Sequence, residues 1–144
     1  MSRLSPWPVV AVGAIVWKED RFLLIRRSQP PRQGGWSIPG GRQEAGETVR
    51  DAVHREIREE AGIEIDILEI AAVVDLIDRD ESGLRHHYTV IDMLAEWRSG
   101  EIAAGDDAMD AAWVPLDGIA AYDLPDLQID VITQAARRRR RSAA

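Results

Sequence analysis

Residues 41 to 63 read GRQEAGETVRDAVHREIREEAGI, a glycine-rich loop that leads into a segment dense in carboxylates. The first eight residues nearly match the P-loop pattern, in which a glycine is followed five residues later by Gly-Lys-Ser/Thr. Gly41, Gly46 and Thr48 occupy three positions of that pattern. Glu47, however, stands where the phosphate-binding lysine should be. A carboxylate there would repel phosphate, so phosphate chemistry at this loop needs positive charge from another source.

The segment from 48 to 61 predicts an amphipathic helix whose carboxylates lie where its apolar residues lie. At about 100° per residue the apolar residues form one stripe, and Glu56 and Glu60 fall inside it. Glu59 sits at the edge of the stripe. Adjacent buried carboxylates are costly without a counter-charge, and Arg55 cannot pair with all of them.

A hard divalent cation satisfies several carboxylates at once through oxygen ligands, so the stripe predicts a site for Mg²⁺ or Mn²⁺. Gly40, in the loop before the helix, offers a backbone carbonyl as a further ligand. A phosphate would then bind to the metal, and Glu47 need not repel it.

The rest of the chain alternates predicted strands and helices without internal repeats, which indicates an α/β fold. The helix at 48 to 61 has Thr48 as its cap and Gly62 as its stop, and a second helix is predicted from 124 to about 139. A long loop covers 28 to 46. Strands are predicted at 8–17, 21–27, 65–77, 85–97 and 111–115, with a short one at 36–38.

The composition predicts one domain spanning residues 1 to 144, since 45% of the residues are hydrophobic. The sequence has no cysteine and no apolar run of membrane-spanning length, so we expect a cytoplasmic protein. The net charge is −7, and because Arg137 to Arg141 are five of its cations, the remainder carries −12. That balance disfavours a nucleic-acid partner, and residues 137 to 144 are expected to form a frayed basic tail. The sequence leaves a homodimer open.

From Gly41 onward the spacing is Gly, five residues, Glu47, seven residues, then REIREEAGI. This arrangement resembles the Nudix box, Gx5Ex7REUxEExGU with U a bulky aliphatic residue, at every fixed position. The flanking segments LLIRR, GGWSIPGG and AAWVPLDGI are also similar to the family. The resemblance implies an α/β/α sandwich with a mixed β-sheet between helices. It also implies an enzyme that hydrolyses a nucleoside diphosphate linked to another moiety.

The resemblance further implies how the carboxylates divide the work. Glu56 and Glu60 would be the main metal ligands, and Glu59 an additional ligand or the base. The Gly40 carbonyl would complete the inner coordination sphere of the Mg²⁺ or Mn²⁺ ion.

Other residues would support this site. By the same resemblance, Arg55 would orient the carboxylates and Glu47 would assist it. Many Nudix enzymes take one further acidic residue from a loop outside the box, and three aspartates of GDDAMDAAW are candidates here: Asp106, Asp107 and Asp110. A solvated turn would account for these carboxylates equally well.

Residues for holding a substrate are less specific. Guanidinium groups match phosphate oxygens, so Arg26, Arg27 and Arg32 are candidate phosphate ligands, although surface charges are as common. The aromatic residues that could stack on a base or a sugar, or instead belong to the core, are Trp36, Tyr88 and Trp113.

The choice of substrate rests on analogy. Residues 85 to 118 resemble Nudix proteins that act on ADP-ribose or similar nucleotide sugars, which favours a small nucleotide substrate. The main alternative is a pyrophosphohydrolase that removes damaged nucleoside triphosphates. Dinucleoside polyphosphates and capped RNA are less favoured, and a non-catalytic nucleotide-binding module would be a different class of protein.

Overall fold

A computed structural model describes residues 7–30, 32–105 and 108–143. The described chain contains seven strands, two α-helices and one 3-10 helix. The strands are β1 (Val9–Lys18), β2 (Arg21–Arg27), β3 (Trp36–Ser37), β4 (Gly40–Arg42), β5 (Glu64–Asp80), β6 (Gly83–Ser99) and β7 (Ala108–Pro115). The α-helices are α1 (Val49–Ala61) and α2 (Asp126–Ala143), and the 3-10 helix is Leu116–Tyr122.

The strands form one mixed sheet in the order β3-β2-β1-β6-β5, with β4 also pairing with β1 and β7 with β2. β1 and β6 run parallel, and every other pair of neighbouring strands is antiparallel. One α-helix covers each face of the sheet. The predicted α/β/α sandwich around a mixed sheet is therefore confirmed. None of the helices in the described residues is long and apolar enough to cross a membrane.

The two faces of the sheet bury separate apolar clusters. Because side chains alternate along a strand, Leu23 of β2 packs under α1 with Ile57. Its neighbours Phe22 and Leu24 pack under α2 with Ile132. A strand that is buried on both faces has a continuous run of apolar residues in its sequence, and the segment FLLI of β2 is such a run.

The boundaries of α1 follow the local signals in the sequence. The Thr48 side chain accepts a hydrogen bond from the Asp51 N–H at 3.0 Å, which caps the first turn. Gly62 adopts the left-handed conformation, with φ of 72°, and its N–H returns to the carbonyls of Ile57 and Arg58.

Strands β5 and β6 are longer than predicted and meet in a tight turn. The two residues between them are Glu81 and Ser82, and the Ser82 N–H donates to the Asp80 carboxylate at 2.8 Å. This hydrogen bond stabilises the turn between the two paired strands. β1 pairs with β6 only from Tyr88 onward. In the outer part of this hairpin the described residues of β5 and β6 therefore pair only with each other, and this part is a two-stranded ribbon.

Three further elements differ from the sequence-based expectation. Strand β4 lies in the segment predicted as loop, where glycines and prolines favoured turns, and it pairs with β1 through Gly41 opposite Val12. The 3-10 helix at Leu116–Tyr122 was not predicted. β7 begins at Ala108 rather than at 111, since it pairs with β2 as far as Arg27.

The basic segment after residue 136 is helical rather than frayed, because α2 continues to Ala143. Arg139 anchors this last part of the helix. Its Nε lies 2.7 Å from Glu96 Oε2, and its guanidinium lies 4.9 Å from the centre of the Trp17 ring. The sequence predicted a frayed tail over 137 to 144, and the structure describes 137 to 143 as the last turns of α2.

We predict that Arg139→Ala lowers the free energy of unfolding by roughly 1–2 kcal/mol, the sum of a half-buried ion pair and a cation–π contact. Arg141→Ala removes the same charge from an exposed position and should change stability little. Urea denaturation of both variants measures the difference. Equal effects would show that the Arg139 contacts contribute nothing.

Candidate active site

Two carboxylates of α1, Glu56 and Glu60, face strand β4 and share a hydrogen bond. Glu60 is 4% exposed, and its Oε1 accepts a hydrogen bond from the Gly40 N–H at 2.9 Å. An added Cβ at Gly40 would overlap the carbonyl oxygen of Val12, and one at Gly41 would overlap the Glu56 carboxylate. The glycines of β4 therefore allow the backbone to approach both the sheet and the carboxylate pair.

The carboxylate pair is electrostatically incomplete. Burial raises the pKa of Glu60 to about 9, and the hydrogen bond and charge of Glu56 act in the same direction. The Gly40 N–H and the Arg27 guanidinium oppose this shift without cancelling it. At neutral pH the pair therefore retains a proton, and a divalent cation can take its place. The hard oxygen donors fit Mg²⁺ or Mn²⁺.

Arg55 organises the carboxylates around this pair. Its Nη2 and Nε contact the two carboxylate oxygens of Glu47 at 2.7 and 3.1 Å, and its Nη1 donates to Glu56 at 2.8 Å. A further bond joins its Nη2 to the carbonyl of Arg42 at 2.9 Å. The hydrogen bond with Glu47 raises the pKa of Arg55, and the same bond lowers the pKa of Glu47. Glu47 therefore stays ionised and fixes Arg55 against Glu56.

Glu59 lies on the outer side of this network. Its side chain is 43% exposed, and its Oε2 is 3.3 Å from Nη1 of Arg55. Across the described ranges, no three or more histidine, cysteine, aspartate or glutamate side chains are grouped to hold one metal ion. The pair Glu56 and Glu60 is thus the centre of the site, and a metal role for Glu59 stays a prediction.

A small cavity of about 140 Å³ opens at the carboxylate pair. Arg27, at the end of β2, points to the same face of the sheet as Ile25 and lines this cavity beside Glu60. The structure thus brings together one of the three predicted phosphate ligands and the carboxylates. The lining residues are Ile25, Arg27, Ser28, Gln29, Gly40, Glu56 and Glu60.

The other predicted substrate residues do not line this small cavity. Arg26 points to the opposite face, and its Nε donates to the Gly34 carbonyl at 2.8 Å. Trp36 packs edge-on against Tyr122, with ring centres 5.1 Å apart, and lines neither cavity of the site. Arg32 donates hydrogen bonds to the carbonyls of Trp36 and Asp123, both at 2.9 Å, and so holds the loop in place. It also lines a second cavity, which is larger than the one at the carboxylate pair.

Of the three candidate loop aspartates, the structure describes Asp110, which does not line either cavity. Asp110 is exposed on β7 opposite Arg26, and its Oδ1 accepts a hydrogen bond from the Ala111 N–H at 2.8 Å. Asp106 and Asp107 lie outside the described residues.

A larger cavity of about 470 Å³ adjoins the carboxylate pair through Gly40 and Arg27, which line both cavities. Its floor is formed by strands β1, β5 and β6, and its wall by the first turns of α2. Tyr88, a predicted stacking residue, lines it and accepts a hydrogen bond from Arg42 at 2.9 Å. Trp113, by contrast, packs against the apolar cluster under α1.

Asp92 on β6 is a cavity residue that the sequence analysis missed. It is 7% exposed, and within the described part of the chain its carboxylate has no hydrogen bond or ion pair. Burial raises the pKa of Asp92 to about 6. One signal was available, since this aspartate interrupts the apolar run VIDMLA.

Comparisons with known proteins relate the chain to one protein family. Residues 7–138 match the family model of the NUDIX domain. The chain is 39% identical over 128 residues to the ADP-ribose pyrophosphatase of Methanocaldococcus jannaschii, covering 89% of this chain and 71% of that protein. It is also 30% identical over 110 residues to the human 8-oxo-dGDP phosphatase NUDT18, of which it spans 32%.

Solved structures give the same result for the fold. A MutT NUDIX hydrolase from Burkholderia pseudomallei superimposes with a TM-score of 0.74 at 34% sequence identity. The match covers 89% of this chain and 98% of that one.

We predict that Asp92→Asn stabilises the protein at high pH and not at low pH. The folded pKa of Asp92, about 6, lies above its ordinary value, so the ionised carboxylate costs stability above pH 6 and the cost disappears toward pH 4. The gain should reach up to about 3 kcal/mol at pH 8. Thermal unfolding across this pH range measures it, with Asp75→Asn, an exposed carboxylate, as control. A gain independent of pH would contradict the account.

Proposed function

This chain belongs to the NUDIX domain family, and from that premise we propose that it hydrolyses the pyrophosphate bond of ADP-ribose or a similar nucleotide sugar. The observation that carries the proposal is the pair of adjacent carboxylates, Glu56 and Glu60, held against Gly40 where the two cavities meet. A second candidate is hydrolysis of damaged nucleotides, which the name of the human relative favours.

Nudix hydrolases generally use divalent metal ions, and we propose Mg²⁺ or Mn²⁺ for this chain. Glu56, Glu60 and the Gly40 carbonyl would hold the ion, with Glu59 as an additional ligand or as the base. When bound, such a cation supplies a Lewis acid for the phosphoryl oxygens and lowers the pKa of a water molecule.

The remaining residues of the site position the substrate. Arg27 lies beside the carboxylate pair and can hold a phosphoryl oxygen through its guanidinium group. Arg32 and Arg42 line the larger cavity, where they can hold a second phosphate or a sugar hydroxyl. Arg55 and Glu47 keep the Glu56 carboxylate oriented throughout, since three short hydrogen bonds fix them to each other and to Glu56.

The size of the larger cavity supports a substrate with two recognisable ends. A volume of about 470 Å³ lies in the usual range of small-molecule sites and exceeds what a phosphate group needs. A substrate that extends from this cavity across the carboxylate pair spreads its binding over base, pyrophosphate and second sugar. Such remote contacts position the scissile bond for attack by water. We further propose that residues 1–144 act as one domain on a small nucleotide substrate.

The first test of the function concerns the metal. Hydrolysis of ADP-ribose should stop in excess EDTA and return with added Mg²⁺. Glu60→Gln should lower kcat by about 100-fold or more. Mutation of residues that only hydrogen-bond to metal ligands already lowers metal affinity or activity by ~10- to 100-fold, and loss of a ligand itself should cost at least as much. Electron paramagnetic resonance should show weakened Mn²⁺ binding to that variant, whereas Glu101→Gln, at an exposed position, should bind normally. Full activity in EDTA would reject the metal-dependent mechanism.

The second test concerns the substrate. We expect kcat/KM for ADP-ribose to exceed that for any nucleoside triphosphate, including oxidised ones, because the larger cavity and the arginines accommodate a long substrate. Mass spectrometry should identify AMP and ribose 5-phosphate as products. If a damaged nucleotide gives the higher kcat/KM, the nucleotide-sugar assignment is wrong while the family assignment stands.

A further inference from the structure

The floor of the larger cavity contains a single buried carboxylate, that of Asp92, whose side chain is directed to the face of the sheet under α2. Its neighbours along the strand on that face are the cavity residues Val90 and Tyr88. The described residues offer this carboxylate no hydrogen bond and no ion pair, although it is 7% exposed. Its oxygens are not among the enclosed polar atoms that lack a partner, so a hydrogen-bond donor that enters the cavity can reach this carboxylate.

Space beside the carboxylate is kept open by the strand next to it. Gly13 of β1 lies opposite Asp92, and an added Cβ at Gly13 would overlap Oδ1 of Asp92. A hydrogen at this position leaves the carboxylate accessible from the cavity, which both residues line.

The distance from the carboxylate pair indicates which part of a substrate reaches Asp92. Gly13 pairs with Gly40 on one side and with Asp92 on the other. Adjacent strands are about 4.8 Å apart, so the Asp92 backbone lies roughly 10 Å from that of Gly40, the length of a nucleoside. A carboxylate also repels phosphate, which leaves the pyrophosphate with Arg27 and the pair.

Apart from Asp92, the side-chain acceptor oxygens among the described residues that line the cavity are those of Gln128 and Tyr88, and each already accepts a hydrogen bond. Gln128, at the start of α2, accepts a hydrogen bond from the Ile38 N–H at 3.0 Å through its Oε1. Arg32 and Arg42 donate to carbonyl and hydroxyl groups and have no acceptor to offer. Asp92 is therefore positioned to accept a hydrogen bond from a ligand in the apolar part of the cavity.

We propose that Asp92 is a specificity-determining residue that accepts a hydrogen bond from an N–H or O–H donor on the nucleoside half of the substrate. This inference rests on the proposed function, since it takes the ligand to be a nucleotide. Adenine presents an amino group, whereas hypoxanthine presents a carbonyl oxygen at the same place, which a carboxylate repels. The ribose hydroxyls are the other source of donors.

The experiment uses the product half of the substrate as a binding probe. Isothermal titration calorimetry of the full chain with AMP and IMP should show tighter binding of AMP. Asp92→Asn should weaken AMP binding by ~10- to 100-fold, as expected for losing a hydrogen bond to a charged group. It should also narrow or reverse the preference over IMP, because an amide can donate to the carbonyl of hypoxanthine. Asp75→Asn, on the same hairpin and 64% exposed, should bind like the wild type.

Further measurements identify the group of the ligand that donates the hydrogen bond and show whether the variants are folded. If a ribose hydroxyl is the hydrogen-bond donor, the wild type will bind 2′-deoxy-AMP or 3′-deoxy-AMP more weakly than AMP. The Asp92→Asn variant will then bind that deoxynucleotide and AMP with similar affinity. Gly13→Ala, which pushes the carboxylate aside, should weaken AMP binding as Asp92→Asn does. Thermal unfolding shows whether either variant is folded.

Unchanged nucleotide binding in Asp92→Asn, or a loss equal to that of Asp75→Asn, would overturn the inference. Parallel assays of ADP-ribose hydrolysis separate this outcome from failure of the proposed function. A wild type that does not cleave ADP-ribose but binds AMP through Asp92 rejects only the proposed function. Cleavage with an unchanged KM in Asp92→Asn rejects only the inference.

Discussion

The hydrogen bond from the Gly40 N–H to the Glu60 carboxylate joins the sheet to α1, and the candidate site depends on it. The bond forms only because β4 approaches both β1 and α1 without a side chain at this position. It fixes a carboxylate that is almost fully buried, and this burial raises its affinity for a proton or a cation. Fold and chemistry are thus coupled through one backbone amide.

The two faces of the sheet carry different tasks. The carboxylate pair lies under α1, where Arg55 and Glu47 form a charged network around it. The larger cavity lies under α2 and is mostly apolar, with Asp92 as its buried acid. The two cavities adjoin at Gly40 and Arg27, which line both of them. A substrate bound across both cavities would contact charged groups at one end. At the other end it would contact a mostly apolar surface with a few polar groups.

Local features of the fold followed from the sequence, whereas features set by distant contacts did not. The cap at Thr48 and the stop at Gly62 involve residues within one turn, so α1 was predicted to the residue. Strand β4 exists because it pairs with β1, some thirty residues earlier, and glycines alone give no sign of pairing. Trp36 belongs with Tyr122, a contact that spacing along the chain does not reveal. The carboxylates of the candidate site were found because two acids on an apolar stripe conflict with burial. Asp92 presents the same conflict in a strand, where a single acid is a weaker signal.

The length of the β5–β6 hairpin bears on how a ligand enters. Beyond Tyr88 its outer part is a two-stranded ribbon, a structure of marginal stability in water. Such a segment opens locally at a small free energy while the sandwich stays folded. Tyr88 and Leu76 pair with each other at the base of the ribbon and belong to the floor of the larger cavity, so a local opening of the ribbon would loosen that part of the floor. The carboxylate pair lies on α1 and is bonded to β4, outside this hairpin. A floor that yields in this way would admit substrates of different outline without displacing Glu56 and Glu60.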